Sequence, residues 1–333
     1  MRGTRMRAAW YDQTGPANEV LTVGEIFTPE PDVGQVLVKV AASGINPHDV
    51  KARAGLTGAK MRADRVIPHF DGAGEIVACG AGVDPGRIGQ RVWMFRVEQA
   101  REGGGTAADY AVCNALHTIA LPDSAAFEVG AGLGVPGLTA HVATIGAGCA
   151  SGMTVLVQGG AGAVAQYAIQ FSRWAGARVI ATVSGACKAE VAREAGADLA
   201  VNYRTDDVAQ AVLDFTGGAG ADLIVEVDFA ANLACDLRAL KVNGTIASYS
   251  SPSDPAPIVR YMDLAMKGAT VHFIQGMFLT EEKRAHAARD ITMMLERNLL
   301  VHPKSIVFPL SQIIEAHEAL EKGTEGRKII VTP

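Results

Sequence analysis

Apolar and polar positions along this 333-residue chain change their period near residue 128. Up to about Pro122, short apolar runs alternate with Gly and Pro: RAAWY, VLVKVAAS, GEIVACG, RVWMF and YAVC, the pattern of strands in a compact β domain. From Glu128 onward such runs alternate with stretches of helical period. Strands are predicted at Val155–Gln158, Arg178–Val183, Leu199–Asn202, Leu223–Val227 and Thr245–Tyr249, an alternation that implies a parallel, doubly wound sheet. ATVHFIQG adds a further strand, and the helix after it carries Ile291, Leu295 and Asn298 on one face. KSIVFPL, a helix opened by Ser311 and stopped near Gly323, and RKIIVTP then predict a β piece returning to the first domain. The expected organisation is residues 1–127 joined by 300–333 in one domain and 128–299 in the other.

Within the second half, Val155 to Val183 reads as strand, glycine-rich turn, helix and strand, half of a nucleotide-binding unit. Gly159 and Gly162 have no Cβ to hold a phosphate away, and the amides opening the next helix point at it with the positive end of the helix dipole. A glycine spacing alone is weak, and the third position is Ala165; the buried-strand run before the turn, with Val164, Ala168 and Phe171 at helical spacing after it, supplies the context. The turn residues expected at the cofactor are Gly159, Ala161, Gly162, Ala163 and Val164.

Past the second strand, where an acid would hold the ribose of NAD, stand Ser184 and Lys188, with Tyr203 and Arg204 further on. A hydroxyl and cations favour a 2′-phosphate, hence NADPH; solvated surface charges are the other reading of Lys188 and Arg204. Ser248 and Ser250 after the fifth strand, and Phe273 after the sixth, fall at the carboxyl edge where dinucleotides lie.

Composition narrows the classes. Apolar residues at 49% and charged residues at 20% suit a soluble globular enzyme. A net charge of −5 gives no broad attraction to nucleic acid or acidic lipid. No charged residue occurs from Val129 through Ser172, yet Gly and Pro interrupt that stretch too often for a membrane span of about 20 residues. MRGTRMR leads into no apolar signal core, and Cys79, Cys113, Cys149, Cys187 and Cys235 form no CxxC pair, so a cytoplasmic protein with core thiols is expected.

Five segments, SGINPHDVKARAG, DGAGEIVACG, GTAADYAV, GVPGLTAH and the GGAGAVA turn, resemble the medium-chain dehydrogenase/reductase superfamily, within it the zinc-free quinone oxidoreductase branch. The resemblance, running from about Met6 to the C-terminus, implies an α/β chain with a GroES-like β-rich catalytic domain, a Rossmann domain and NADPH as reductant. Zinc-dependent alcohol dehydrogenases of the superfamily place a Cys after the second strand and a His-Glu pair before the GAG turn. Here Asn46 and Phe70-Asp71 take those places, and RVEQAREGGG at 96–105 lacks the cysteines of a structural lobe, so no metal site is expected.

Without a metal, the accessible chemistry is hydride delivery to an already electrophilic carbon of a quinone or an α,β-unsaturated carbonyl. Charge developing on the substrate oxygen calls for fixed donors, and Asn46 and Lys51 are the candidates. Asn46 also reads as a turn residue before Pro47, and Lys51 as a solvated helix lysine. Thr139 resembles a family threonine near the nicotinamide ring; Lys328 either approaches the cofactor or is exposed. His48 and Asp49 read as a surface pair, His69 stays ambiguous, and no obligatory proton donor is evident. The clustered Lys51, Arg53, Lys60, Arg62 and Arg65 keep an enoyl-thioester reductase in view, and a non-catalytic NADPH-binding protein is the alternative of another class. ATVHFIQG, pairing edge to edge across a two-fold axis, suggests a homodimer.

Overall fold

A computed structural model describes residues 3–99 and 103–333, so the stretch 96–105 is described only in part. The chain divides into two compact units, one of Met1–Val135, Thr292–Asn298 and Pro303–Pro333, the other of Pro136–Ile291 with Leu299–His302.

In the second unit the described residues form a six-stranded sheet whose order across the sheet is Leu199–Asn202, Arg178–Val183, Thr154–Val157, Ala221–Glu226, Leu240–Ser248 and Thr270–Phe273. Every pairing is parallel. Numbered along the chain, these strands lie in the order 3-2-1-4-5-6 of a Rossmann sheet. Thr154–Val157 is buried along its whole length, as a strand covered on both faces must be. Leu156, Ile180, Ile224 and Ile246 from the sheet pack with Val212, Phe229 and Leu233 from its helices. The fifth strand starts five residues before its predicted Thr245: Leu240 pairs with Ala221, the stretch KVNG, with Asn243 at φ 63°, bulges out of the ladder, and pairing resumes at Thr245.

In the first unit the described residues form a seven-stranded sheet built around Gln35–Gly44, which pairs antiparallel with Asp71–Cys79, Tyr110–Asn114 and the C-terminal strand Lys328–Thr332. The predicted C-terminal return is therefore present, with Val331 opposite Ser43 and Ile330 opposite Gly44. The helix Ile313–Lys322 ends at Gly323 as predicted, but Ser311 lies in a 3-10 turn before it rather than at its cap. Thr22–Phe27, which the apolar pattern did not single out, forms a strand against Arg5–Trp10.

Candidate functional site

Two groups of polar side chains stand out, one in each unit. In the first unit the strand Gln35–Gly44 leads into the helix Pro47–Arg53, with Asn46 at its N-cap and Pro47 at its first position. The Asn46 backbone N–H donates to Asp49 Oδ2 at 2.7 Å, which fixes the start of the helix. The Asn46 carboxamide is 2% exposed. Its Nδ2 donates to Asp71 Oδ2 at 2.7 Å, and its Oδ1 accepts from Lys328 Nζ at 2.7 Å. Lys328 also donates to the Ile45 carbonyl at 2.8 Å, and the Val135 amide donates to Asp71 Oδ2 at 2.7 Å. Gly134 makes that approach possible, since a Cβ there would lie 2.1 Å from Asp71 Oδ1.

Three ionisable groups are thus buried together. Burial raises the Asp71 carboxyl to about 6, against the opposing pull of Lys328, the Val135 amide and the Asn46 amide. Burial likewise raises Asp49, with the Asn46 amide opposing, and lowers Lys328, with Asp71 and Asp49 opposing. Lys328 is neither exposed nor free, the outcome its sequence left open. Asp49 corrects the expected surface pair: it is buried in the helix cap, while half-buried His48 packs on Phe70 at 5.2 Å. Burial, Arg62 and Lys51 lower the His48 basicity. Lys51 is half-buried on the same helix.

Behind Asp71 runs a buried chain that sequence reasoning missed except for His69. Thr106 Oγ1 donates to the Asp71 carbonyl at 2.6 Å and meets Ser43 Oγ at 2.7 Å; Ser43 Oγ meets His69 Nδ1 at 2.7 Å. His69 Nε2 lies 3.0 Å from His317 Nε2. Burial keeps both imidazoles neutral, His317 down to about 3.

These residues do not fit a zinc ion. Of Asn46, Phe70 and Asp71, only Asp71 is a common zinc ligand, and the Lys328 ammonium already bonds the Asn46 oxygen. Three members of the basic cluster, Arg53, Arg62 and Arg65, already have protein partners. Arg53 is buried against Glu321 and the Gly15 carbonyl, Arg62 donates to the Ile67 and Gly104 carbonyls, and Arg65 pairs with Asp12.

In the second unit the glycine turn lies at the carboxyl end of Thr154–Val157. Gly159 takes φ 68°, its N–H donating to Thr182 Oγ1 at 2.9 Å, and Gly162 caps the helix Ala163–Trp174 with no side-chain partner at that end. The first helical amides, at Ala163 and Val164, are thereby left for an anion; Ala161 is buried beside them. Below the turn lies a network the sequence did not reveal: Thr182 Oγ1 donates to Gln158 Oε1 at 2.7 Å, and Gln158 Nε2 to Asp236 Oδ1 at 2.8 Å. Burial and the neighbouring Glu226 raise the Asp236 carboxyl well above its usual range.

Several of the other expected cofactor residues lie at or just beyond the carboxyl ends of strands of the same sheet. Ser184 follows Arg178–Val183, Lys188 sits in the first turn and a half of the helix Ala186–Glu194, and the Tyr203 amide donates to the Val183 carbonyl at 3.0 Å. Ser248 lies opposite Phe273, with its Oγ 3.3 Å from the Ser250 carbonyl. Phe273 is exposed and meets Phe229 edge-on at 5.3 Å. Thr139 is buried on the helix Gly134–Ala143, its Oγ1 3.5 Å from where a Cβ on Gly276 would stand.

The alcohol dehydrogenase GroES-like domain model matches residues 32–123, and the zinc-binding dehydrogenase model matches residues 163–293. A quinone oxidoreductase of Lama guanicoe is 29% identical over 331 residues, covering 98% of this chain and 97% of the relative. A mycobacterial quinone oxidoreductase structure superposes with a TM-score of 0.86 at 28% identity, covering 98% of this chain and 100% of that one. A second mycobacterial structure, complexed with NADPH, gives 0.84 at 27% identity over 98% of this chain and 100% of that one. With both domain models matched in order and full-length likeness in sequence and fold, the chain belongs to the medium-chain dehydrogenase/reductase superfamily, in its quinone oxidoreductase branch.

Proposed function

We propose that this protein is an NADPH-dependent reductase that delivers hydride to a quinone or an α,β-unsaturated carbonyl without a metal ion. The observation that carries this reading is the buried Lys328 ammonium on Asn46, a fixed cation on the amide that stands where the zinc enzymes of the superfamily place a Cys ligand. NADPH, when bound, supplies the hydride. The chain's own part is to hold and to polarise. The amides of Ala163 and Val164 at the turn opened by Gly159, Ala161 and Gly162 take the pyrophosphate, and Ser184, Lys188 and Tyr203 take the 2′-phosphate end. Thr139, Ser248, Ser250 and Phe273 line the remainder of the cofactor.

Asn46 Nδ2 keeps one hydrogen beyond the one given to Asp71, and the Lys51 side chain stands half-buried on the same helix. These are the donors we assign to the substrate oxygen as negative charge develops there. Lys328 acts through Asn46, holding the amide oxygen so that the amide hydrogens keep their direction. Arg53, Arg62 and Arg65 are committed to protein partners, which favours a neutral quinone or enone over an anionic enoyl thioester. The test is absorbance: NADPH is consumed with quinones or enones and not with simple ketones, whereas tight NADPH binding without turnover over such a panel indicates a non-catalytic protein.

A homodimer formed through the edge strand Thr270–Phe273 belongs to this reading. That edge is unpaired among the described residues, and in the segment leading to the strand Ile258, Tyr261, Met262 and Met266 are exposed apolar side chains. Sedimentation at the mass of a single chain would contradict it. All five cysteines are unpaired, which supports a reducing cytoplasm. No helix among the described residues is long and apolar enough to cross a membrane.

A further inference from the structure

In the second unit, three metal-ligand side chains converge. His286 and Asp290 stand four residues apart on the helix Glu281–Glu296, a spacing that puts both on one helix face. His141 reaches them from the helix Gly134–Ala143. His141 Nε2 lies 2.7 Å from Asp290 Oδ2, His286 Nε2 lies 3.4 Å from the same oxygen, and one ligand atom from each residue falls within 4.8 Å of the other two. The two imidazoles meet edge-on, with centroids 5.2 Å apart at 74°.

We propose that His141, His286 and Asp290 form a binding site for one divalent transition cation of the zinc type, with a fourth position open to water. A tetrahedral ion with bonds of about 2.0–2.1 Å needs neighbouring ligand atoms roughly 3.3 Å apart. His286 and Asp290 already stand at that separation. The His141–Asp290 edge has to open by about 0.6 Å, and the imidazole nitrogens, within 4.8 Å of each other, have to settle at the same separation, movements that side-chain torsions supply.

Burial and charge agree with this geometry. The His141 side chain is 2% exposed, that of Asp290 20% and that of His286 52%, so an ion reaches the site from solvent past His286. The Asp290 carboxylate supplies the negative charge. Binding through Nε2 moves the His141 ring proton to Nδ1, an atom without a hydrogen-bond partner among the described residues. That cost makes the site weaker than a closed structural zinc site.

The test is calorimetric titration of the chelator-treated full-length protein with Zn2+ alone, comparing wild type with His286→Ala and Asp290→Asn. One ion per chain is expected in the wild type, with affinity weakened by more than about tenfold in each variant. Binding that both variants retain, or no saturable binding to the wild type, overturns the proposal. Independently of any variant's folding, Co2+ bound to the wild type should give the visible absorption of a four-coordinate site with nitrogen ligands, displaced by Zn2+. The spectrum of the hydrated six-coordinate ion overturns the proposal equally.

Discussion

Lys328 donates a hydrogen bond to Asn46 Oδ1 at 2.7 Å across 282 residues of sequence, joining the last strand of the chain to the cap of the helix after the third. The ammonium is the countercharge for two buried carboxyls, Asp71 and Asp49. Replacing Lys328 with Met leaves those carboxyls without it. Asp71 titrates near 6 in the folded protein and near 3.8 unfolded, so the cost of its burial builds up between those two values, and the Lys328 countercharge matters to it most above the folded one. Lys328→Met is therefore expected to lower stability by about 3–5 kcal/mol at pH 8 and by much less at pH 5. Urea denaturation at the two pH values checks this, and equal losses would refute the pairing.

For Asn46 the expectation is kinetic. Asn46→Ala removes one donor to the developing oxyanion and should reduce kcat by roughly 10²–10³, with KM for NADPH unchanged. It also leaves Asp71 and Lys328 each short of a partner, at about 1–3 kcal/mol of stability. A variant that unfolds with lower stability but turns over at the wild-type rate would reduce Asn46 to a structural role.

Cofactor choice rests on the end of the second Rossmann strand. Lys188→Glu should raise KM for NADPH by about tenfold or more and leave KM for NADH nearly unaltered, since only the phosphorylated ribose meets the new charge. Equal effects on the two cofactors would remove Lys188 from the phosphate site.

A second pH dependence, of opposite sign, belongs to the neutral histidine pair. His317 titrates near 3 when folded and near 6.5 when unfolded, so the stability that its burial allows is fully present above 6.5 and is lost as pH falls toward 3. The stability difference between wild type and His317→Gln should shift against the wild type on acidification, by at most roughly 1.4 kcal/mol per pH unit. A difference independent of pH between 7 and 4 would contradict the assignment.

Much of the fold is legible in local pattern because a strand buried on both faces has to be apolar throughout. Thr154–Val157 and Arg178–Val183 announce themselves in this way, as does the glycine turn between them. The strand Thr22–Phe27 escapes the pattern because it is largely exposed and among the described residues pairs only with Arg5–Trp10, so little burial constrains it. The site was less legible than the fold. Asn46, Lys51 and Asp71 could be noted one at a time, but the closure of Lys328 on Asn46 and of His69 on His317 depends on the C-terminal segment returning to the first sheet. No spacing encodes such contacts. Asp49 misled for a different reason: a carboxylate in a sequence of alternating charges looks solvated, and only its capping bond to the Asn46 amide accounts for its burial.

The central claim is hydride transfer without a metal, and turnover of chelator-treated protein tests it most directly. Full-length protein carrying His286→Ala, freed of metal and verified by elemental analysis, should oxidise NADPH with a quinone at the rate it shows before treatment. Activity lost on chelation and restored in proportion to added zinc would contradict the account.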